Sequence, residues 1–287
     1  MNTNTAVLAQ KALAKNDWPV VEIDGLTLIT SPLLDSVAAA GSPLIHAFTT
    51  RLGGNSASPL NWFNLGRHWP TEESRQEAMS NRERLCRALG VDEQKLTVPG
   101  QQHTTNIYIV EPESACHTQR LPELDGAVTD SAGLPLLLHF ADCVPIMLFD
   151  RRQKVLAVLH AGWKGTAGGI AQKCIRLLAE RWQSNAADVV AAIGPAIGQC
   201  CYPTGDDVAV KLSQSVNGDN SLIVQRDGKP HPDLKAINAL QLLQSGVEQI
   251  DVSSCCTACH PELFYSHRQS KGQTGRQGAI ACIKPAS

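Results

Sequence analysis

The sequence lacks any apolar run that approaches the roughly 20 residues of a transmembrane helix. Its opening residues also lack the uninterrupted apolar segment of a signal peptide. Neither charge is in strong excess, because the formal net charge is −2, so nothing favours nucleic acid or an anionic membrane as a partner. We therefore expect a cytoplasmic protein with no nucleic-acid or membrane partner. The lack of an obvious apolar surface helix favours a monomer.

Repeats, low-complexity tracts and Pro/Gly/Ser-rich linkers are also missing, so no boundary divides the chain. Charged residues make up 18% of the sequence and apolar residues 43%, which is typical of a globular protein rather than a disordered one. A chain of 287 residues can bury a large core. We predict one domain over residues 1–287, in which residues 1–15 form a loosely ordered N-terminal arm.

Short β-like runs and amphipathic helical patterns are mixed along the chain. The predicted strands are two pieces within Val20–Ile29, then Leu44–Thr49, Asn106–Val110, Gly126–Thr129, Leu136–Phe140, Val144–Phe149, Val155–Leu159, Val189–Ile193, Val247–Val252 and Ala279–Ile283. The predicted helices are Thr71–Leu89, Ile170–Trp182, Asp206–Val216 and Asp233–Ser245. Because several strands are adjacent in sequence, this pattern indicates an α/β domain with a mixed sheet.

The ten cysteines do not indicate a disulfide framework, since such frameworks belong to short secreted chains. Most of them are predicted to be reduced thiols packed as small hydrophobic side chains. Cys256-x-x-Cys259, with Cys255 and His260 beside it, resembles half of a zinc ribbon, but no second CxxC is present to complete four ligands. The sequence leaves open whether this segment binds a second metal, and we expect substitution of Cys259 to leave the metal content unchanged.

A cysteine and two histidines stand out as candidate ligands. Cys143 and His160 lie at the ends of two apolar runs that we interpret as neighbouring buried strands, and His103 directly precedes a third β-like run. One cysteine and two histidines at strand ends resemble a three-ligand metal site with an open fourth position. His68 and His139 are rivals for the place of His103. The remaining histidines are predicted not to be ligands: His46, His117, His231, His260 and His267.

Other chemistry-bearing residues lie next to these three. Asp142 precedes Cys143, and a carboxylate between two apolar strands needs a partner, so it could orient a metal-binding histidine or act as a general acid or base. The segment HAGWKGTAGG after the strand is rich in glycine, carries Lys164 and leads into a helix, a pattern that suits an anionic ligand. It is not a Walker A loop, because the GxxxxGK[ST] spacing is missing.

Two other kinds of enzyme use the same residue types. A copper site could add Met147 as a weak axial ligand, although four-copper oxidases take their ligands from His-x-His pairs and none of the nine histidines forms such a pair. A metal-free cysteine hydrolase would use Cys143 as nucleophile, His160 as base, and Asp142 or Gln101 to orient the base. A non-catalytic binding module is a third alternative, which the open coordination position disfavours.

Nine segments together resemble one family over about His46 to Ile283, nearly the whole chain. They are HAFTTRLGG, FNLGRHW, NRERLCRALG, QQHTTNIYIV, DGAVTD, ADCVPIMLFD, LAVLHAGWKGTAGGI, AIGPAIGQCCYPTGDDV and YSHRQSKGQTGRQGAIACI. The resemblance is to the laccase-domain family of YfiH-like proteins, which are described both as polyphenol oxidases and as purine nucleoside phosphorylases. It implies a single-domain four-layer α/β/β/α sandwich with mixed sheets, and the metal ligands His103, Cys143 and His160 with zinc as the usual metal.

The activity that the resemblance implies is phosphorolysis of adenosine, inosine or methylthioadenosine-type nucleosides to free base and ribose 1-phosphate, together with deamination of adenosine to inosine. The partners would then be a small nucleoside and phosphate, with Cys143, His160 and Asp142 as catalytic residues. The basic residues expected to hold phosphate are Arg51, Lys164, Arg268 and Arg276. Many relatives have YRRD where this chain has Ser266-His267-Arg268-Gln269, so one expected arginine is replaced by His267.

Overall fold

The computed structural model describes residues 17–112 and 121–285. The predicted N-terminal arm over residues 1–15, together with Cys116 and His117, lies outside the described residues. Two large β-sheets and six α-helices form the described part of the chain. Within it, no helix is both long and apolar enough to cross a membrane.

The first sheet is antiparallel throughout and has five strands. In spatial order they are β1 (Val20–Ile23), β2 (Leu26–Ile29), β3 (Leu44–Thr49), β15 (Gln277–Ile283) and β8 (Leu136–Phe140). The second sheet has six strands and is mixed. In spatial order they are β14 (Gln249–Val252), β11 (Val189–Ile193), β9 (Val144–Asp150), β10 (Val155–Ala161), β7 (Gly126–Thr129) and β5 (Ile107–Ile109). Two small ribbons pair β4 (Pro99–Gly100) with β6 (Leu121–Pro122), and β12 (Ile223–Arg226) with β13 (Lys229–Pro232).

The two sheets pack face to face, with helices on both outer faces. The helices are α1 (Pro32–Ala39), α2 (Glu72–Leu89), α3 (Trp163–Ala167), α4 (Ile170–Trp182), α5 (Asp206–Gln214) and α6 (Leu234–Gln244). One buried cluster joins Phe48 and Leu138 of the first sheet to Phe149 of the second, so it fills the space between the sheets. Two further clusters lie under helices: Leu85 of α2 packs on the first sheet, and Leu178 of α4 packs on the second. This arrangement confirms the predicted four-layer α/β/β/α fold.

Helix ends follow the local signals in the sequence. The Thr71 side chain accepts a hydrogen bond from the backbone N–H of Ser74 at the start of α2, and Gly90 ends that helix in a left-handed conformation. The Asp233 carboxylate caps α6 in the same way, by accepting from the N–H of Ala236. The predicted strands and helices are therefore present, with boundaries that differ by a few residues.

The elements that were not predicted are short. They include α1, the five-residue helix α3, the β12–β13 hairpin and the β4–β6 ribbon. Periodicity cannot reveal a helix of five residues, because it spans fewer than two turns. Strand β10 also extends further than predicted, to Ala161. His160 is therefore the second-last residue of the strand rather than the first residue after it.

The direction of each strand decides what meets at one edge of the second sheet. β9 runs antiparallel to β10 and to β11, β7 runs antiparallel to β10, β5 is parallel to β7, and β14 is parallel to β11. Consequently the first residues of β5, β7 and β9 lie at the same edge as the last residues of β10, β11 and β14. We call this edge the site edge.

The core between the sheets predicts a contrast between two leucines. Leu138 on β8 is fully buried there, whereas Leu243 on α6 is 55% exposed. We expect Leu138→Ala to lower the free energy of unfolding by about 2–5 kcal/mol, because it removes buried methyl groups and leaves a cavity. Leu243→Ala is the matched control and should change it by no more than about 0.5 kcal/mol. Equal effects in urea denaturation would contradict this account of the core.

Candidate functional site

The pairing of β9 with β10 brings Cys143 and His160 together. His160 lies opposite Pro145 in the register, so Cys143, just before β9, lies beside the end of β10. The predicted neighbouring strands are thus confirmed. His103 approaches from the loop that leads to β5, two strands away across β7. All three residues therefore meet at the site edge.

The three predicted ligands form a compact group that could hold a metal ion. One ligand atom from each of His103, Cys143 and His160 lies within 4.8 Å of the other two. The Cys143 Sγ atom is 3.8 Å from His103 Nε2, and the two imidazole rings stand edge to face with centroids 5.1 Å apart. His160 is buried, whereas His103 is exposed and Cys143 is half-buried, so the group is open to solvent on one side.

A buried carboxylate, that of Asp125, forms hydrogen bonds to two of the three candidate ligands. Its Oδ1 atom lies 2.7 Å from His160 Nδ1 and accepts the backbone N–H of His103 at 3.0 Å. Its Oδ2 atom accepts from the backbone N–H and the hydroxyl of Thr104 and from the N–H of Gln102. Because Nδ1 of His160 is engaged by Asp125, Nε2 is left to face Cys143 and His103, as metal-binding histidines require.

The charges in this group reinforce one another. Burial raises the pKa of the Cys143 thiol, but the neighbouring charge of His160 and a hydrogen bond from His103 lower it to about 6. Burial lowers the pKa of His160, but the Cys143 thiolate and Asp125 raise it to about 9. Burial also opposes ionisation of Asp125, yet hydrogen bonds from His160 and Thr104 lower its pKa to about 2. The lowered pKa favours the thiolate form of Cys143, which is the form that binds metals and acts as a nucleophile.

The backbone around the group is specialised. A Cβ atom at Gly162 would lie 2.9 Å from the His103 ring and 3.0 Å from Cys143 Sγ, so only glycine leaves room for both ligands. His103 and Asp142 have positive φ angles of 61° and 88°, which non-glycine residues rarely adopt. Hydrogen bonds hold both: Asp125 accepts the N–H of His103, and the Asp142 side chain accepts from three groups.

The group opens into a cavity of about 240 Å³. Its walls include His103, Cys143, Trp163, Lys164 and Tyr202. A neighbouring cavity of about 570 Å³ shares Trp163 and Tyr202 and is lined further along by Lys229 and Arg268. The outer volume falls within the range of about 300–1,000 Å³ that is usual for small-molecule sites, and the inner one lies just below it. Two aromatic side chains thus separate the candidate ligands from a basic outer region.

Asp142 does not orient a histidine ligand, which corrects one of its two predicted uses. Its Oδ1 atom accepts the hydroxyl of Thr257 at 2.6 Å, and its Oδ2 atom accepts the hydroxyl of Ser266 and the N–H of Arg268. Asp125 has the predicted orienting role instead. The sequence signal for Asp125 was present in the DGAVTD segment, but an Asp-Gly pair before a strand also suits an ordinary turn.

The four basic residues predicted to hold phosphate occupy different surroundings. Lys164 and Arg268 line the two cavities, and the Arg268 guanidinium lies 5.0 Å from the centroid of the Tyr202 ring. Burial lowers the pKa of Arg276, while the charges of Cys143 and Asp142 oppose that change, so Arg276 lies within electrostatic reach of the site. The Arg51 guanidinium donates to the main-chain carbonyls of Asn61 and Pro261 and stacks on Tyr265.

The rival residues from the sequence have other partners. His139 Nε2 lies 3.3 Å from an Arg82 nitrogen, and His68 Nε2 lies 3.0 Å from the carbonyl oxygen of Thr274. Burial lowers the pKa of both histidines, that of His68 to about 4. The Gln101 amide bonds both main-chain groups of His139, so Gln101 does not orient His160 as the hydrolase alternative suggested.

A second group of candidate ligands lies at the same edge. It consists of four cysteines whose sulfur atoms all lie within 4.8 Å of one another: Cys200, Cys201, Cys256 and Cys259. The half zinc ribbon seen in the sequence therefore has two partners. Sequence inspection missed them because they form an adjacent pair rather than a second CxxC.

Comparison with known proteins gives consistent matches. The sequence model of a family described as multi-copper polyphenol oxidoreductase laccase matches residues 45–284. Purine nucleoside phosphorylase YlmD of Geobacillus stearothermophilus is 37% identical over 245 residues, in an alignment that covers 82% of this chain and 89% of that protein. Purine nucleoside phosphorylase YlmD of Bacillus subtilis is 34% identical over 252 residues, in an alignment that covers 85% of this chain and 90% of that protein.

A solved structure supports the same relationship. The crystal structure of YlmD from Geobacillus stearothermophilus aligns with a TM-score of 0.84 and 33% identity over the superposed residues. The alignment covers 94% of this chain and 100% of that one. The fold and the chain length therefore agree over nearly the whole molecule.

The position of Asp125 generates a prediction about metal affinity. We expect Asp125→Asn to weaken the binding of Zn²⁺ to the three-residue group about 10- to 100-fold, because the side chain that bonds His160 Nδ1 loses its negative charge. Competition with a chromophoric chelator measures this affinity. Asp130→Asn is the matched control, since Asp130 directly follows β7, the strand that Asp125 precedes, and its carboxylate accepts hydrogen bonds from Trp182 and Ser131 instead. Unchanged affinity in Asp125→Asn would contradict the role given to this carboxylate.

Proposed function

This chain belongs to the multi-copper polyphenol oxidoreductase laccase family, and from that premise we propose that it is a zinc-dependent purine nucleoside phosphorylase. The observation that carries the proposal is the convergence of His103, Cys143 and His160 at the mouth of a cavity with aromatic and basic walls. The name purine nucleoside phosphorylase, borne by relatives that match over most of their length, supports the same conclusion.

The donor set fits zinc. Tetrahedral geometry with Zn–S of about 2.3 Å and Zn–N of about 2.0–2.1 Å separates a sulfur and a nitrogen ligand by about 3.6 Å. The corresponding Cys143 and His103 atoms lie 3.8 Å apart. Three protein ligands with one side open are typical of a catalytic site, where the bound metal polarises a substrate oxygen or lowers the pKa of a water.

The base, the ribose and phosphate each find suitable side chains in the two cavities. The flat rings of Trp163 and Tyr202 line the shared wall and suit stacking of a purine base. Lys164, which lines the inner cavity beside Cys143, and Arg268, which lines the outer one, suit phosphate. The ribose would then lie over the three ligands, so that its glycosidic carbon faces the bound phosphate.

The reaction requires positioning and charge stabilisation. A phosphate oxygen forms a bond to ribose C1′, the C1′–N9 bond breaks, and the base leaves with that electron pair and takes up a proton. The cation of Lys164, in the inner cavity, would hold phosphate in line with the breaking bond, where a bound anion gains most from fixed positive charge, and Arg268 would attract the anion from the outer cavity. Arg276 lies close enough to Cys143 to add to that field. Arg51 has competing contacts, so its phosphate role stays a prediction.

Asp142 enters the proposal as a positioning residue. Its three hydrogen bonds connect the residue before Cys143 to Thr257, Ser266 and the backbone of Arg268. This arrangement supports a role in holding the Arg268 loop against the cavity. The general acid or base role predicted for Asp142 stays a prediction.

The same site supports deamination of adenosine as a second activity. In that reaction water replaces the amino group at purine C6 and ammonia leaves, so phosphate is not consumed. Zinc deaminases of nucleobases use three protein ligands of the same types, which is the observation that favours this activity here. Formation of inosine from adenosine in phosphate-free buffer would distinguish it from phosphorolysis.

Two alternatives keep a specific observation in their favour. The low pKa of Cys143 beside a charged His160 suits a metal-free cysteine hydrolase, in which Asp125 would orient the base. The family description favours a copper oxidase, for which the sequence suggested Met147 as an axial ligand. Met147 lies fully buried in the core between the sheets. Metal content separates these alternatives from the zinc enzyme.

Cys143 provides the direct test of the proposed activity. We expect Cys143→Ala to lose the zinc of the three-residue group and at least 100-fold of the phosphate-dependent cleavage of adenosine, because it removes one of three ligands. Chromatography of adenine and ribose 1-phosphate measures the cleavage. The control is Cys282→Ala, which removes a buried thiol on β15 that belongs to neither candidate metal group. Undiminished cleavage by Cys143→Ala protein whose three-residue group has lost its zinc would contradict the proposal.

Lys164 tests the assignment of the phosphate position. We expect Lys164→Gln to raise the KM for phosphate about tenfold and to change the KM for the nucleoside much less, because a charge-assisted hydrogen bond is worth about 1.5 kcal/mol or more. Initial rates at varied phosphate measure this difference. Lys95→Gln is the control, since Lys95 is an exposed lysine that pairs with Asp92. An equal rise in both KM values would indicate a general disturbance of the cavity instead.

A further inference from the structure

We propose that Cys200, Cys201, Cys256 and Cys259 form a second metal site, a closed tetrathiolate centre for Zn²⁺. Their four sulfur atoms lie within 4.8 Å of one another. The Cys259 sulfur lies 3.5 Å from that of Cys200 and 3.4 Å from that of Cys201. In a tetrahedral site with Zn–S of about 2.3 Å, sulfur atoms stand about 3.8 Å apart, close to these distances.

The fold brings the two halves together across almost 60 positions of sequence. Cys200 and Cys201 follow the end of β11, and Cys256 and Cys259 follow the end of β14. These strands are parallel neighbours, with Ile193 paired to Val252, so the loops after them leave the same edge of the sheet. A bridge between Ala196 and Cys256 continues the pairing beyond the strands. The cysteines therefore converge because of sheet topology.

The main chain at Gly198 packs closely against the sulfur atoms and leaves little room for a side chain. Its N–H group donates to Cys256 Sγ at 3.1 Å, a hydrogen bond that stabilises a thiolate. A Cβ atom at this position would lie 3.2 Å from Cys200 Sγ and 3.1 Å from the Cβ atom of Cys256. A side chain would thus crowd the cluster, much as one at Gly162 would crowd the first group.

Positive charge beside the cluster suits a metal centre that keeps net negative charge. Zn²⁺ with four thiolates carries a formal charge of −2. The buried Lys235 ammonium donates to the main-chain oxygens of Ser253 and Cys255, in the loop that leads to Cys256. The Arg226 guanidinium donates to the carbonyl oxygen of Cys200. A cation therefore contacts the main chain of each half of the cluster: Arg226 at Cys200, and Lys235 at Cys255, the residue before Cys256.

The ligand set assigns this site a structural role. Four sulfurs leave no position for substrate, and such closed zinc sites typically stabilise loops. Thr257, between the two ligands of the CxxC, donates to Asp142 beside Cys143, and Tyr202 follows Cys201 in the wall of the cavity. A metal bound here would hold together two loops that contribute to the proposed active site. The metal itself would take no part in the reaction.

Metal analysis of the full chain tests the inference. The protein is purified under reducing conditions from zinc-supplemented cells, and bound metals are measured by mass spectrometry. We expect Cys143→Ala to retain one zinc per chain, and the double variant Cys143→Ala/Cys259→Ser to retain none. This expectation replaces the one drawn from the sequence, that substitution of Cys259 leaves the metal content unchanged. Cys143→Ala/Cys255→Ala is the matched control and should keep its zinc, because Cys255 lies in the same loop but outside the group. X-ray absorption of the Cys143→Ala protein should show four sulfur ligands at about 2.3 Å.

The spectroscopic measurement does not depend on the folding of any cluster variant, and Cys143→Ala separates this inference from the proposed function. Nitrogen ligands on the retained zinc, or a Cys143→Ala protein without zinc, would overturn the inference. So would iron with inorganic sulfide at this site, or a disulfide between Cys259 and Cys200 or Cys201 in the protein kept under reducing conditions. Four-sulfur zinc in Cys143→Ala would support it even if the protein cleaved no nucleoside.

Discussion

The hydrogen bond between the Asp125 carboxylate and His160 is the contact on which the proposed active site depends. Burying a carboxylate is costly unless it is paired, and Asp125 is fully buried. It is satisfied by His160 and by the chain at Gln102, His103 and Thr104, so one side chain fixes two of the three candidate ligands. The main chain forms a second hydrogen bond between the same two residues, in which the carbonyl oxygen of Asp125 accepts the N–H of His160. The position of His103 is thus a consequence of neutralising one buried charge.

The topology of the six-stranded sheet explains why chemistry-bearing residues lie at one edge. Residues before β9 and at the end of β10 supply Cys143 and His160, and the loops after β11 and β14 supply the four cysteines. The two groups differ in chemistry: one has mixed ligands and an open side, and the other has four sulfurs and no open side. Asp142 and Thr257 connect them through one hydrogen bond of 2.6 Å. We infer a division in which the open group performs the reaction and the closed group stabilises the cavity wall.

Much of this arrangement could be predicted from sequence, and the exceptions have physical reasons. Apolar strands with a cysteine and a histidine at their ends were enough to identify Cys143 and His160, because antiparallel neighbours bring such ends together. Asp125 was missed because a carboxylate inside an Asp-Gly turn has no signature of burial. The pair Cys200-Cys201 was missed as a partner for Cys256-x-x-Cys259 because that contact depends on the parallel pairing of β11 with β14. Sequence patterns describe local structure well, whereas contacts between distant loops depend on strand order.

The proposed zinc-dependent phosphorylase is tested most directly by measuring metal content and products together on protein purified without added metal. The sample is incubated with adenosine and phosphate, and the products are resolved. The proposed function requires zinc in the group of His103, Cys143 and His160, with adenine and ribose 1-phosphate formed in equal amounts and only when phosphate is present. Copper with oxidation of a phenol and no nucleoside turnover would contradict it in favour of an oxidase, and activity without any metal would contradict it in favour of a cysteine hydrolase.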